Sequence, residues 1–182
     1  MITTTVASNG AGLQPAAPGS AHHTMFDPDD LDPVTAAYHE AGHALVAHKL
    51  GGRVVLVTIE DEDGAVHGKT TVHWQVAEPR ERARRVGLAA LGGPLAEARH
   101  RGHLDAPEVF TAWAADWRAV QQALAKHAAP GAQPAAVLAR WVAEVSDWLA
   151  DDDVWEQLCP IADALEAHGT LDEDLLADAL DL

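Results

Sequence analysis

The chain has 182 residues, 48% of them hydrophobic, which is enough for one globular domain with a core and tight for two. Its net charge of −16 argues against nucleic acid or an anionic membrane as a partner, because both demand a basic face. Cys159 is the single cysteine, so an internal disulfide and a thiolate-rich metal site are excluded, and any metal must be held by imidazole and carboxylate groups.

Residues 1–27 are rich in Ala, Gly, Pro, Ser and Thr without sustained apolar periodicity. Such a composition cannot offset its ordering entropy, and a flexible N-terminal tail is expected, with residues 28–182 as the folded domain. His22 and His23 are read as solvated tail residues. The start lacks a basic segment followed by an apolar run, and no stretch approaches the roughly 20 apolar residues that span a bilayer. A cytoplasmic location with no membrane partner is expected.

The first helix is predicted to open at Asp32-Pro33, an acceptor at the N-cap with proline at the first helical position, and to stop before Gly51-Gly52. Val34, Ala37, Tyr38, Ala41 and Leu45 form its apolar stripe. This helix carries His39-Glu40-Ala41-Gly42-His43. Histidines four residues apart lie one helical turn above one another and can aim two imidazoles at one ion. Glu40 is offset beside them, where a carboxylate reaches the water that the ion activates without displacing it. His48 has no partner at ligand spacing and is read as solvated.

Arg53 to Glu60 and Ala65 to Gln75 read as a pair of strands joined by a turn at Asp61-Glu62-Asp63-Gly64. After Glu78-Pro79 the pattern is helical, with breaks expected at Gly92-Gly93-Pro94, Gly102, Pro130-Gly131, Pro160 and Gly169. The fold class is therefore α+β, predominantly helical, with a small sheet following the metal-binding helix. Trp141, Trp148 and Trp155 recur every seven residues, and core packing is favoured over a partner-helix seam.

A catalytic zinc takes three protein ligands and leaves one position open. The extended HExxHxxGxxH pattern fails, since Val46 and Lys49 stand where its glycine and last histidine would be. The third ligand must come from farther along, from Glu97, Asp105, Glu108 or Asp116, or from His100 or His103. Asp116 stands out because Val109, Ala112, Trp113, Ala119, Val120 and Ala123 surround it at helical spacing, so its carboxylate is expected to face the interior. A buried carboxylate needs a compensating partner, which zinc or an arginine could supply; simple exposure at a helix edge is the other alternative.

Tyr38-His39-Glu40-Ala41-Gly42-His43-Ala44-Leu45 resembles the zinc helix of the peptidase domain of the FtsH family of AAA-coupled metalloproteases. Val54 to Trp74 is similar to the strand pair after that helix, and Leu91 to Glu97 to a glycine-glycine-arginine segment ending in acid. Thr111 to Asp116 is similar to the segment ending in the family's aspartate ligand, and Ala164 to Leu175 to its closing helix-turn-helix. The resemblance implies a zincin-like fold, zinc on His39, His43 and Asp116, and Glu40 as general base. It makes Glu97 an acid that orients a ligand histidine, and it sets a strand within Val66 to Trp74 beside the cleft, where an extended substrate can add.

The family's ATPase phosphate loop, GxxxxGK[ST], is absent from this sequence, as are its transmembrane segments. Ala112, Trp113, Ala114 and Ala115 replace glycine and polar residues near the third ligand; Trp113 either narrows the cleft or packs in the core. The expected activity is zinc-dependent hydrolysis of short or unfolded peptides, with substrates arriving unaided or through a separate ATPase or adaptor, and with assembly into a homo-oligomer left open. A catalytically silent zinc-containing binding module and a metal-dependent amide hydrolase acting on a small molecule are the alternatives.

Overall fold

The computed structural model describes residues 2–7, 32–60, 66–103, 114–128, 131 and 133–180. Among them run β1 (Ile2–Ala7), α1 (Pro33–Lys49), β2 (Arg53–Glu60), β3 (Val66–Trp74), α2 (Pro79–His100) and α3 (Ala114–His127), followed by α4 (Pro134–Ala150), α5 (Asp152–His168), β4 (Thr170–Asp172) and α6 (Glu173–Ala179). The architecture is α+β and predominantly helical.

Helix α1 starts as its sequence dictates. The Asp32 carboxylate accepts the Thr35 N–H at 2.9 Å and the Thr35 hydroxyl at 2.6 Å, with Pro33 in the first turn. It ends ahead of Gly51, whose φ of 76° is the left-handed conformation that glycine adopts without strain. The expected single apolar stripe is a poor description of the rest. Thr35 through Ala47 are all buried apart from half-buried Tyr38, while Val34, placed at the head of the stripe, is 38% exposed. Small residues explain the difference, because Ala36, Ala37, Ala41, Gly42, Ala44 and Ala47 let α2, α5, β2 and β3 pack around the helix on every side.

The closest approach is backbone to backbone. A Cβ on Gly42 would fall 2.4 Å from the Gly92 carbonyl oxygen, and one on Gly92 would fall 2.5 Å from that of Gly42. This contact overturns the break expected at Gly92-Gly93-Pro94: α2 continues through all three residues. Two glycines and a proline carry a propensity cost of several kcal/mol in a helix, but here they seat α2 against α1. Helix α5 likewise runs through Pro160. Pro160 and Glu156, whose carbonyl loses its helical donor, both lie on the exposed side, where solvent can replace the missing bond. The breaks expected at Gly102 and Gly169 do occur, each with positive φ.

The tryptophan spacing does not mark one helical seam. Asp151 separates Trp141 and Trp148 on α4 from Trp155 on α5. Trp141 is buried in the notch left by Gly87, where a Cβ would come within 2.3 Å of the indole. Trp155 stacks on Tyr38 at 5.5 Å and lies 4.5 Å beneath the Arg99 guanidinium.

Strands β2 and β3 form where β-branched residues predicted them, in an antiparallel sheet of order β1-β3-β2-β4. Two corrections arise here. Ile2–Ala7, assigned to the flexible tail, pairs antiparallel with β3 from Ile2 opposite Trp74 to Ala7 opposite Lys69, as suits its run of Ile, Thr and Val. The closing segment is helix-strand-helix rather than helix-turn-helix, because Thr170–Asp172 pairs with Leu56 to Thr58 of β2 before the Asp172 side chain caps α6. The turn at 61–64, the rest of the tail including His22 and His23, and Pro130 lie outside the described residues.

Candidate metal centre

Helix α1 delivers His39 and His43 one turn apart, and α3 brings Asp116 to them from its first turn. The two Nε2 atoms are 3.1 Å apart, and the Asp116 carboxylate reaches His39 Nε2 at 3.1 Å and His43 Nε2 at 3.4 Å. One ligand atom each from His39, Glu40 and His43 also fall within 4.8 Å of one another, so this buried group could hold a metal ion. His39, Glu40, His43 and Asp116 are each 1% exposed, as expected for the interior-facing aspartate.

The partners of the other ring nitrogens decide what the Nε2 atoms can do. His43 Nδ1 lies 2.7 Å from the Ala89 carbonyl oxygen, an obligate acceptor, so Nδ1 carries the hydrogen and Nε2 presents a lone pair. The Gly93 N–H is also 3.2 Å from this nitrogen, but the shorter contact to the carbonyl governs the tautomer. His39 Nδ1 lies 3.2 Å from Glu97 Oε2, and the other oxygen of Glu97 meets Arg101 Nε at 2.9 Å. Both rings are thus fixed by their outer nitrogens with their inner ones turned to a common point, as metal-binding histidines require.

Three electron-rich groups at such separations repel unless something positive lies between them. Burial opposes charging of His39, yet hydrogen bonds to Asp116 and Glu97 push its pKa up to about 10. Burial also opposes ionisation of Asp116, yet His43 and His39 hold its carboxyl well below the usual carboxylate range. Both shifts express a demand for positive charge. Among the described residues the buried carboxylates are Glu40, Glu97 and Asp116, and Arg101 offsets Glu97. A proton on His39 would neutralise one of the remaining two negative charges, whereas a divalent cation would balance both.

Glu40 is held asymmetrically. The Thr70 hydroxyl on β3 donates to Oε2 at 2.7 Å, while Oε1 is buried without a hydrogen-bond partner, as is Asp116 Oδ1. Burial pushes the Glu40 pKa up, against the pull of His43, His39 and the Thr70 hydrogen bond. A carboxylate with one oxygen anchored and the other without a protein partner can accept a proton at a defined place.

Gly93 completes the cradle. A Cβ there would fall 2.3 Å from His43 Nε2 and 2.6 Å from His39 Nε2, so only glycine leaves this volume for an ion. Of the remaining sequence candidates, Glu97 reaches the site through His39 rather than through the shared point. His100 is exposed and stacks on Tyr38 at 3.9 Å, and His103 is exposed at the end of α2. His48 is half-buried near the end of α1. Asp105, Glu108, Val109, Ala112 and Trp113 lie outside the described residues. Thr70, Gly93, Arg101 and the Ala89 carbonyl went unnoticed as site components. Only Gly93 had a legible signal, a Gly-Gly pair inside an otherwise strongly helical stretch.

Among the described residues no helix is long and apolar enough to cross a membrane. Comparison of the chain with protein-family models gives no match, and comparison with curated proteins gives none either.

Proposed function

We propose that this chain is a zinc-dependent metallopeptidase of FtsH-like, zincin type that hydrolyses peptide bonds in short or unfolded peptides. The observation that carries the reading is the convergence of His39 Nε2, His43 Nε2 and the Asp116 carboxylate at 3.1 to 3.4 Å, with both Nδ1 atoms already committed to acceptors. Bonds of about 2.0–2.1 Å at tetrahedral angles put ligand atoms about 3.3–3.4 Å apart, so the donor set fits zinc with a fourth position left over.

Zinc, when bound, polarises a carbonyl and lowers the pKa of water. The chain's own residues supply the rest. Glu40 takes the proton of the attacking water on Oε1 and gives it to the leaving amine as the carbon–nitrogen bond breaks. Thr70 holds Oε2 throughout, so the carboxylate does not rotate towards the ligands. Glu97, backed by Arg101, keeps His39 oriented and basic.

One observation favours a second reading, a catalytically silent binding module: all four central residues are 1% exposed, which is closed for a catalytic centre. An unbiased peptide library incubated with zinc-replete protein separates the two. Cleavage that is lost in Glu40→Gln is expected, and an uncut library would transfer the case to the binding module.

A further inference from the structure

The element that lies along the site is a piece of the chain's own N-terminus. β2 covers one side of β3, and Ile2–Ala7 takes the other. In that register Val6 stands opposite Thr70, the residue whose hydroxyl holds Glu40. The main contacts of β1 are with β3 and with α3, the helix that carries Asp116. The strand thus touches both the element that anchors the base and the element that supplies the carboxylate ligand.

An extended peptide that pairs with β3 would run along this same edge, since strand addition needs a sheet edge. The segment from Ile2 to Ala7 has what such an edge accepts. It is uncharged and β-branched, and the first acidic residue of this strongly acidic chain comes only at Asp27. Backbone pairing reads no particular side chain, so a foreign peptide of similar character makes the same ladder.

We propose that Ile2–Ala7 is a tethered occupant of the outer edge of β3, competing there with extended peptide. The proposal rests on the peptide-hydrolase reading for what the site does with its guest, but not for the binding itself. Residues 8–31 connect the strand to α1. Tethering through the same chain holds the strand at an effective concentration on the order of mM, so a free peptide that pairs in the ~100 μM range binds about tenfold more weakly while the strand is in place.

The probe is a fluorescein-labelled peptide of sequence Ile-Thr-Thr-Thr-Val-Ala, followed by anisotropy on the full chain carrying Glu40→Gln. Adjacent N–H groups of a strand point to opposite sides, so Thr4→Pro with Thr5→Pro removes one ladder donor whichever of them faces β3. Probe affinity should rise about tenfold in this variant. A second route spares the folding step: a protease recognition sequence placed between Gly19 and Ser20 is cut after folding, and dilution should then open the edge to the probe. Unchanged affinity in both preparations, with folding verified by circular dichroism, overturns the proposal. Peptide turnover by the same preparations with Glu40 intact separates the two ideas. Tighter probe binding without turnover supports the edge site and sinks the hydrolase reading, whereas turnover with unchanged probe affinity and rate does the reverse.

Discussion

The two sides of the candidate site are built on different principles. On the helical side, α1 and α2 touch through Gly42 and Gly92, and each imidazole is fixed at its outer nitrogen by Ala89 or Glu97. On the sheet side, the Thr70 hydroxyl bonds to Glu40, and a ladder of backbone pairs then joins β3 to β1. Side-chain packing that leaves no freedom suits the holding of an ion, whose ligands must keep their geometry. Backbone pairing is exchangeable and suits the holding of a chain. On the proposed reading, preorganisation is concentrated where charge would be stabilised, and adaptability where a peptide would pass.

That contrast can be broken in several places. Glu40→Gln keeps the size and the Thr70 contact but removes the base; zinc content should stay near that of wild type while peptide turnover falls about 10²–10⁴-fold. Equal loss of metal and turnover would show that Glu40 belongs to the ion-holding side instead. Glu97→Ala leaves His39 Nδ1 without its acceptor and should weaken zinc affinity about 10–100-fold in a chelator competition. Unaltered affinity would mean that the ring is fixed by packing alone.

Gly42→Ala forces a methyl into the Gly92 carbonyl and should destabilise the fold by about 1–3 kcal/mol. Thermal unfolding reads this directly as a fall of a few degrees per kcal/mol in a chain of this size. A variant with native stability would dispute the closeness of the two helices. Thr70→Val keeps strand propensity and volume but frees Glu40 Oε2. It should cost about tenfold in turnover with little effect on zinc content, as one lost buried hydrogen bond of ~1–3 kcal/mol implies. A metal-depleted Thr70→Val protein would show the sheet side to be as rigidly coupled to the ion as the helices are.

The same contrast decides what could be read from the sequence. The arrangement of the helical side was legible: spacing put His39 and His43 on one face, the cap at Asp32-Pro33 gave the helix, and apolar neighbours singled out Asp116, which is buried beside both imidazoles. Gly92-Gly93-Pro94 misled, because propensity describes an isolated helix, and here close packing against α1 outweighs it. Pro160 misled for a related reason, since on an exposed helix face its missing donor matters less. Thr70 was illegible, being one more threonine in a β-branched strand until the fold sets it against Glu40. The pairing of Ile2–Ala7 was hidden by its surroundings: a window of low-complexity residues masked five good strand formers whose partners lie more than sixty residues away.

The central claim is that His39, His43 and Asp116 form one metal-holding unit. Elemental analysis of the full chain after zinc loading and desalting, beside Asp116→Ala with folding checked by circular dichroism, tests it most directly. The account predicts about one zinc per wild-type chain and its loss from the folded variant. A wild-type chain that retains no metal, or an Asp116→Ala chain that keeps full occupancy, would contradict it.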